Sequence, residues 1–219
     1  MNPGTRPRRL AAKPPATGLL ATGLMAICLA SLAGCGAAAP AGAPQPGSST
    51  AVTVPASYDF SWFKAGHVPA GWHFLELPDR TAALAYPPGA SPVQSDPGTV
   101  AAGVTAPDGH LLIYLNATPR QGTESLANWR SFRIDHLRGE HAMQATLGAS
   151  GEGLAFRGGT GSCVLDDYVT RIGAHHYREI ACLVSGAAGS SVIVAATLAS
   201  DWDHYRTTLE QAVESYAVR

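Results

Sequence analysis

Residues 163–184 read CVLDDYVTRIGAHHYREIACLV, and this stretch decides the fold. With Ile172-Gly173 as the turn, antiparallel pairing sets Cys163 opposite Cys182, Leu165 opposite Ile180, Asp167 opposite Arg178 and Tyr168 opposite Tyr177. Directly opposed residues hold their β-carbons about 4.5–5.5 Å apart, closer at non-hydrogen-bonded pairs, and a disulfide requires about 3.5–4.5 Å. The register and a Cys163–Cys182 bridge therefore support each other. One pair dissents: Asp166 falls opposite Glu179, which is unfavourable unless a cation or an arginine sits between the carboxylates. Closing a loop of this size is worth roughly 3 kcal/mol in the chain-entropy account.

The segments around the hairpin read as a mainly antiparallel sheet with helices. On the C-terminal side, residues 190–198 form a nearly continuous apolar run, the mark of a central strand covered on both faces. Ser200 or Asp201 caps a closing helix in which Trp202, Tyr205, Leu209, Ala212, Val213 and Tyr216 recur at three and four residues, an amphipathic core stripe. On the N-terminal side, residues 143–147 and 154–157 read as two strands separated by a glycine-rich turn. Before them a helix starts at Thr123, with Glu124 in its first turn, carries Leu126, Trp129, Arg130, Arg133 and Leu137 near one side, and stops at Gly139. Runs 100–105 and 111–117 flank Pro107-Asp108-Gly109 and form a hairpin. Earlier still, residues 71–77 alternate as a strand with Trp72 and Phe74 on one face; a short strand at 82–86 follows, then Pro87-Pro88-Gly89 and a polar loop through Gly98.

The N-terminus carries a different kind of information. Arg6, Arg8, Arg9 and Lys13 form a basic head, no acidic residue precedes Cys35, and an uncharged apolar run ends in Leu32-Ala33-Gly34-Cys35. A basic n-region, an apolar h-region and small residues at the cut are the plan of a secretory signal peptide. The stretch resembles a bacterial lipoprotein signal, whose lipobox ends in a cysteine. That resemblance implies cleavage between Gly34 and Cys35, with diacylglycerol on the Cys35 thiol. A permanent membrane span and an ordinary signal peptide are the competing readings; glycines 18, 23 and 34 and the proline-rich sequel favour cleavage. Arg8-Arg9 matches a twin-arginine export signal only in part, so the export route stays open.

Residues 1–34 are thus read as a signal peptide, 35–57 as an Ala/Pro/Gly/Ser tether too polar and small to order itself, and 58–219 as one domain. The removed segment holds four of the 15 basic residues and none of the 16 acidic ones, so the mature chain shifts from a formal charge of −1 to about −5. A net-negative chain without a Lys/Arg cluster lacks the electrostatic footprint of nucleic-acid binding. Of four cysteines, Cys28 leaves with the signal and Cys35 takes the lipid, which isolates Cys163 and Cys182 as the pair of an exported, disulfide-permissive chain. No Cys-x-x-Cys or His-x3-His partner accompanies them, so zinc is not implied.

The order of elements makes an α+β fold, an antiparallel sheet sandwiched between helices. From about Trp72 to Val218 it resembles the PsbP-like fold of photosystem II extrinsic proteins and of actinobacterial LpqN-type lipoproteins, on an early strand leading to Tyr86-Pro87-Pro88-Gly89, a central helix, a long hairpin and a final helix ending Ser215-Tyr216-Ala217-Val218. The disulfide is not part of that pattern. The resemblance implies a non-enzymatic envelope protein that binds or stabilises a partner.

No catalytic motif is present. Gly148-Ala149-Ser150-Gly151-Glu152 lacks the last glycine of a nucleophile elbow, and Gly158-Gly159-Thr160-Gly161-Ser162 lacks the lysine of a P-loop. No catalytic residue, metal ligand or cofactor is assigned; Asp166 and Glu179 are a candidate two-carboxylate cation site. The expected function is a lipid-anchored, extracytoplasmic accessory or binding module on the outer face of a bacterial cell membrane, with an envelope protein as partner. The alternative is a small-ligand or lipid carrier, or an enzyme, using the sheet face near Trp129, Tyr168, Tyr177 and Arg178. A third reading, a lipoprotein acting on other lipoproteins or on cell-wall polymers, has no site visible in the sequence.

Overall fold

The computed structural model describes residues 59–140 and 142–219. The cleavage and lipidation positions Gly34 and Cys35 and the tether lie outside the described residues.

Seven strands form one antiparallel sheet: β3 (Ser91–Val93), β4 (Val100–Thr105), β5 (Leu111–Pro119), β6 (Met143–Phe156), β7 (Gly159–Val169), β8 (His176–Gly186) and β9 (Ser190–Leu198), in spatial order β3-β4-β5-β9-β8-β7-β6. A second, three-stranded sheet joins β1 (His73–Glu76), β2 (Ala82–Tyr86) and β10 (Ala217–Val218) in the order β1-β2-β10. Helix α1 (Trp129–Gly139) packs on β6, β7 and β8, whereas α2 (Trp202–Ser215), entered through a short 3-10 turn at Ala199–Asp201, packs on β9, β8 and β5 and on the small sheet. The fold is α+β and mainly antiparallel, as the sequence implies.

The β7–β8 register is the one read from the sequence, with Cys163 on Cys182, Leu165 on Ile180, Asp166 on Glu179, Asp167 on Arg178 and Tyr168 on Tyr177. The disulfide forms, its α-carbons 4.0 Å apart. Strand β9 occupies the centre of the sheet, and its middle residues are buried on both sides. Alternation sorts the two faces. Cys163, Leu165, Ile180, Cys182, Ile193 and Leu115 point to one core, closed by Leu209, Val213 and Tyr216 of the α2 segment and by Leu84 of β2. Val164, Ala181, Leu183, Val192 and Val194 point to the other, beneath Trp129. The Tyr216 hydroxyl lies 2.7 Å from Ser191 Oγ, giving that buried phenol a partner.

Four local expectations are corrected. Helix α1 begins at Trp129 rather than Thr123, because side chains in the preceding segment bind backbone instead of letting a helix start. Ser125 N–H donates to Asn128 Oδ1 at 2.6 Å, Asn128 Nδ2 donates to the Thr123 carbonyl at 3.1 Å, and the Glu124 carboxylate accepts from Gln121 and Gly122 N–H at 2.7 and 2.8 Å. Residues 143–156 form one strand rather than two, since the continuous ladder offered by β7 absorbs the glycine-rich stretch as register shifts; Gly153, at φ 66°, sits in the last of them. The loop after Gly89 contains β3, which pairs with β4 at the edge of the sheet where Pro92 is tolerated. The chain end adds β10 to β2. Phe74 is 69% exposed.

Candidate functional site

The residues that matter are placed by two periodicities meeting at one face. Along α1, Trp129, Arg133 and Leu137 recur every four residues and form its buried stripe. Along the β7–β8 hairpin, the facing residues include Val164, Asp166 and Tyr168 on one strand and Ala181, Glu179 and Tyr177 on the other. Trp129 is 2% exposed and its indole N–H donates to the Ala181 carbonyl at 2.9 Å, fixing the helix against the sheet. One turn later Arg133 reaches the opposed carboxylates.

Arg133 Nε donates to Glu179 Oε1 at 2.9 Å, its terminal nitrogen donates to the same oxygen, and Nε lies 3.7 Å from Asp166 Oδ2. This is the arginine that the Asp166–Glu179 pairing requires. Glu179 is 1% exposed and Asp166 fully buried. Burial pushes the Asp166 carboxyl up to about 9, the adjacent Glu179 charge adds to that, and Arg133 opposes both only in part. Burial works against the guanidinium charge of Arg133, but the Glu179 and Asp166 carboxyls outweigh it and hold that group above its ordinary value. At neutral pH Asp166 therefore keeps its proton beside the Arg133–Glu179 bond. A hydrogen bond between the Asp166 and Glu179 carboxyls adds to the rise, since only a protonated Asp166 can donate it. The Tyr168 phenol is likewise raised, first by burial and then by the Glu179 charge.

Helix α1 covers only the β6–β8 half of this face. Beside it, over β9 and β5, lies a cleft of about 850 Å³. Its floor carries Val192, Val194, Tyr114, Asn116 and Thr118; Phe132, Arg133 and His136 of α1 form one wall, and Gln94, Ser95, Asp96 and Thr99 the other. Gln121, Gly122 and Glu124 close one end, and Glu179 with Tyr168 marks where the cleft meets the buried charges. Phe132 stacks between Trp129 and His136, with ring centroids 6.0 Å from each. A smaller cavity of about 490 Å³ adjoins it at the far end of α1, reaching Leu137, Ala142 and the exposed hairpin-tip residue Ile172.

Of the residues singled out from the sequence, Trp129, Asp166, Tyr168 and Glu179 share this face, and Tyr177 stacks on Tyr168 at 5.9 Å beyond the cleft lining. Arg178 does not join them. It points to the opposite face, where its Nε donates to Asp167 Oδ1 at 3.0 Å and its guanidinium carbon lies 5.7 Å from the Trp202 ring centre. Arg133, Phe132, Tyr114 and Asn116 were not recognised as site residues. The signal for β5 was present as alternation, with Tyr114, Asn116 and Thr118 polar between the buried Ile113, Leu115 and Ala117. Among the described residues no three His, Cys, Asp or Glu side chains converge as metal ligands do.

No protein-family model matches the chain, and no curated protein matches it. Several solved structures are similar. The cyanobacterial PsbP protein of Synechocystis sp. PCC 6803 is 14% identical, with a TM-score of 0.47 over 71% of this chain and 98% of its own. A protein of unknown function and putative regulator from Pseudomonas aeruginosa is 12% identical, with a TM-score of 0.41 over 70% and 99% of the two chains. LpqN of Mycobacterium tuberculosis, described as involved in cell envelope biogenesis, is 15% identical, with a TM-score of 0.35 over 69% and 80%. Likeness at this level says nothing of ligand, partner or activity.

Proposed function

We propose that the protein is an extracytoplasmic accessory or binding module, held to the outer face of a bacterial cell membrane by lipid on Cys35, and that its binding site is the cleft beside α1. The observation that carries this is the cleft itself: an open, largely polar trough left where α1 covers half of a sheet face, on a framework fixed by the Trp129–Ala181 and Arg133–Glu179 bonds. Its charged groups favour binding over chemistry. Asp166 is perturbed as an acid–base residue is, yet it is fully buried beside Arg133 and does not line the cleft, and Glu179 is already bound by that arginine.

The test is photo-crosslinking in the native membrane, with a photoreactive amino acid in place of Gln121 inside the cleft and, as the control, in place of Phe74 on the small sheet. An adduct from the cleft position alone supports the reading. Adducts from Phe74 alone place the interaction elsewhere and refute it. In the same cells Cys35→Ala abolishes lipidation and leaves an uncleaved precursor; normal processing and retention of that variant would refute the anchor.

A further inference from the structure

We infer that the cleft takes a saccharide, neutral or amine-bearing, and excludes anionic ligands; this rests on the cleft being the binding site. The first step is electrostatic. The guanidinium in the lining belongs to Arg133, and it is already committed to Glu179 with Asp166 beside it. Recognition of a phosphate or carboxylate calls for net positive charge behind the donors; Glu179 cancels the guanidinium's charge, and the N–H groups of Arg133 not used on Glu179 are left as donors to neutral oxygens. Exposed Asp96 and Glu140 in the lining add negative field that repels an anion.

The second step is the chemistry that remains. Asn116, Gln121 and Gln94 present amides, each able to donate and accept at once, which suits hydroxyl groups that also do both. Tyr114 adds aromatic surface on the floor, against which the apolar C–H face of a pyranose can lie, while Phe132, its ring held between Trp129 and His136, lines the α1 wall. A purely apolar ligand would strip water from these amides without replacing their bonds. A bare polyamine would leave the acceptor–donor pairs and the rings largely unused. A cleft of about 850 Å³ is of a size for a short oligosaccharide.

The experiment is calorimetric titration of the processed, lipidated protein, held in a detergent without a sugar headgroup, against maltotriose, cellotriose, N-acetylglucosamine trimer and glucosamine trimer. Spermidine and glucose 6-phosphate serve as charge controls. The expected result is saturable binding of at least one trimer, weakened roughly two- to tenfold by Asn116→Ala and by Tyr114→Ala, and unchanged by Phe74→Ser. Binding of the phosphate ester at all, or of spermidine without any trimer, overturns the inference. So does the absence of trimer binding up to about 10 mM, which fills even millimolar sites. In that last case an adduct from the cleft crosslinker keeps the cleft as the binding site while the saccharide falls, and loss of both removes the two readings together.

Discussion

Arg133 on α1 and Glu179 on β8 are joined by a hydrogen bond of 2.9 Å from Nε to Oε1, across 46 residues of sequence and with both side chains nearly excluded from solvent. The bond ties the helix to the hairpin and neutralises a carboxylate that the strand register had placed against Asp166. It also sets the charge of the cleft, because the Glu179 carboxylate cancels the charge of the guanidinium in its lining.

Removing the cation alone exposes what it compensates. Arg133→Met leaves Glu179 buried and unpaired, and unfolding in denaturant is expected to show a loss of about 3–5 kcal/mol. Combining it with Glu179→Gln recovers a substantial part, because no uncompensated charge then stays in the interior. A double-mutant cycle showing no coupling between the two positions would contradict this account.

Asp166 gives the fold a pH dependence of defined sign. Its folded-state pKa, about 9, lies above the unfolded value, so between about pH 4 and pH 9 the folded chain retains a proton that the unfolded chain has released. Its contribution is complete below that window and is lost as pH rises through it. Urea unfolding of the wild type is therefore expected to show lower stability near pH 8 than near pH 5. Asp166→Asn, which has no proton to lose, flattens that slope and is the more stable protein near pH 8; equal slopes for the two would rule the assignment out.

What the sequence made legible follows the number of constraints acting on each segment. The β7–β8 hairpin could be read to the residue because alternation, turn and two cysteines all demand one register. The clash of Asp166 with Glu179 even called for a cation, but which arginine answers depends on where α1 crosses the sheet, a tertiary fact. The start of α1 was hidden by Ser125, Asn128 and Glu124, whose side chains bind local backbone. In β6 the glycines signal turns, and only the neighbouring ladder shows that they become bulges. The cleft was illegible for a simpler reason: it exists where α1 is absent.

The disulfide joins strands already paired by the ladder, so its value comes from restraining the unfolded chain. With 19 residues of sequence separation, its removal by Cys163→Ser with Cys182→Ser is expected to cost about 3 kcal/mol. The guanidinium chloride midpoint should fall by the same amount under reducing conditions as in the double variant. A loss under about 1 kcal/mol would mean that the unfolded hairpin keeps the two thiols together without the bond.

Gly158 is the position at which a single methyl group should be least tolerated. It makes the turn between β6 and β7 at φ 82°, and a β-carbon there would collide with the Val218 carbonyl oxygen. That carbonyl belongs to the chain end, which is stitched down by Val218 N–H to the Arg157 carbonyl and Arg219 N–H to the Thr81 carbonyl, both 2.9 Å. Gly158→Ala therefore meets a strained backbone and a blocked space together, and a loss of about 2–4 kcal/mol is expected, with faster amide exchange at Val218 and Arg219 as β10 lifts from β2. Gly153→Ala isolates the backbone component, since Gly153 has φ 66° and no atom within 4 Å of its added β-carbon. It should cost only about 1–2 kcal/mol and leave exchange at Val218 unchanged. Equal losses for the two variants would show that the chain end yields freely and that β10 contributes little to holding the small sheet.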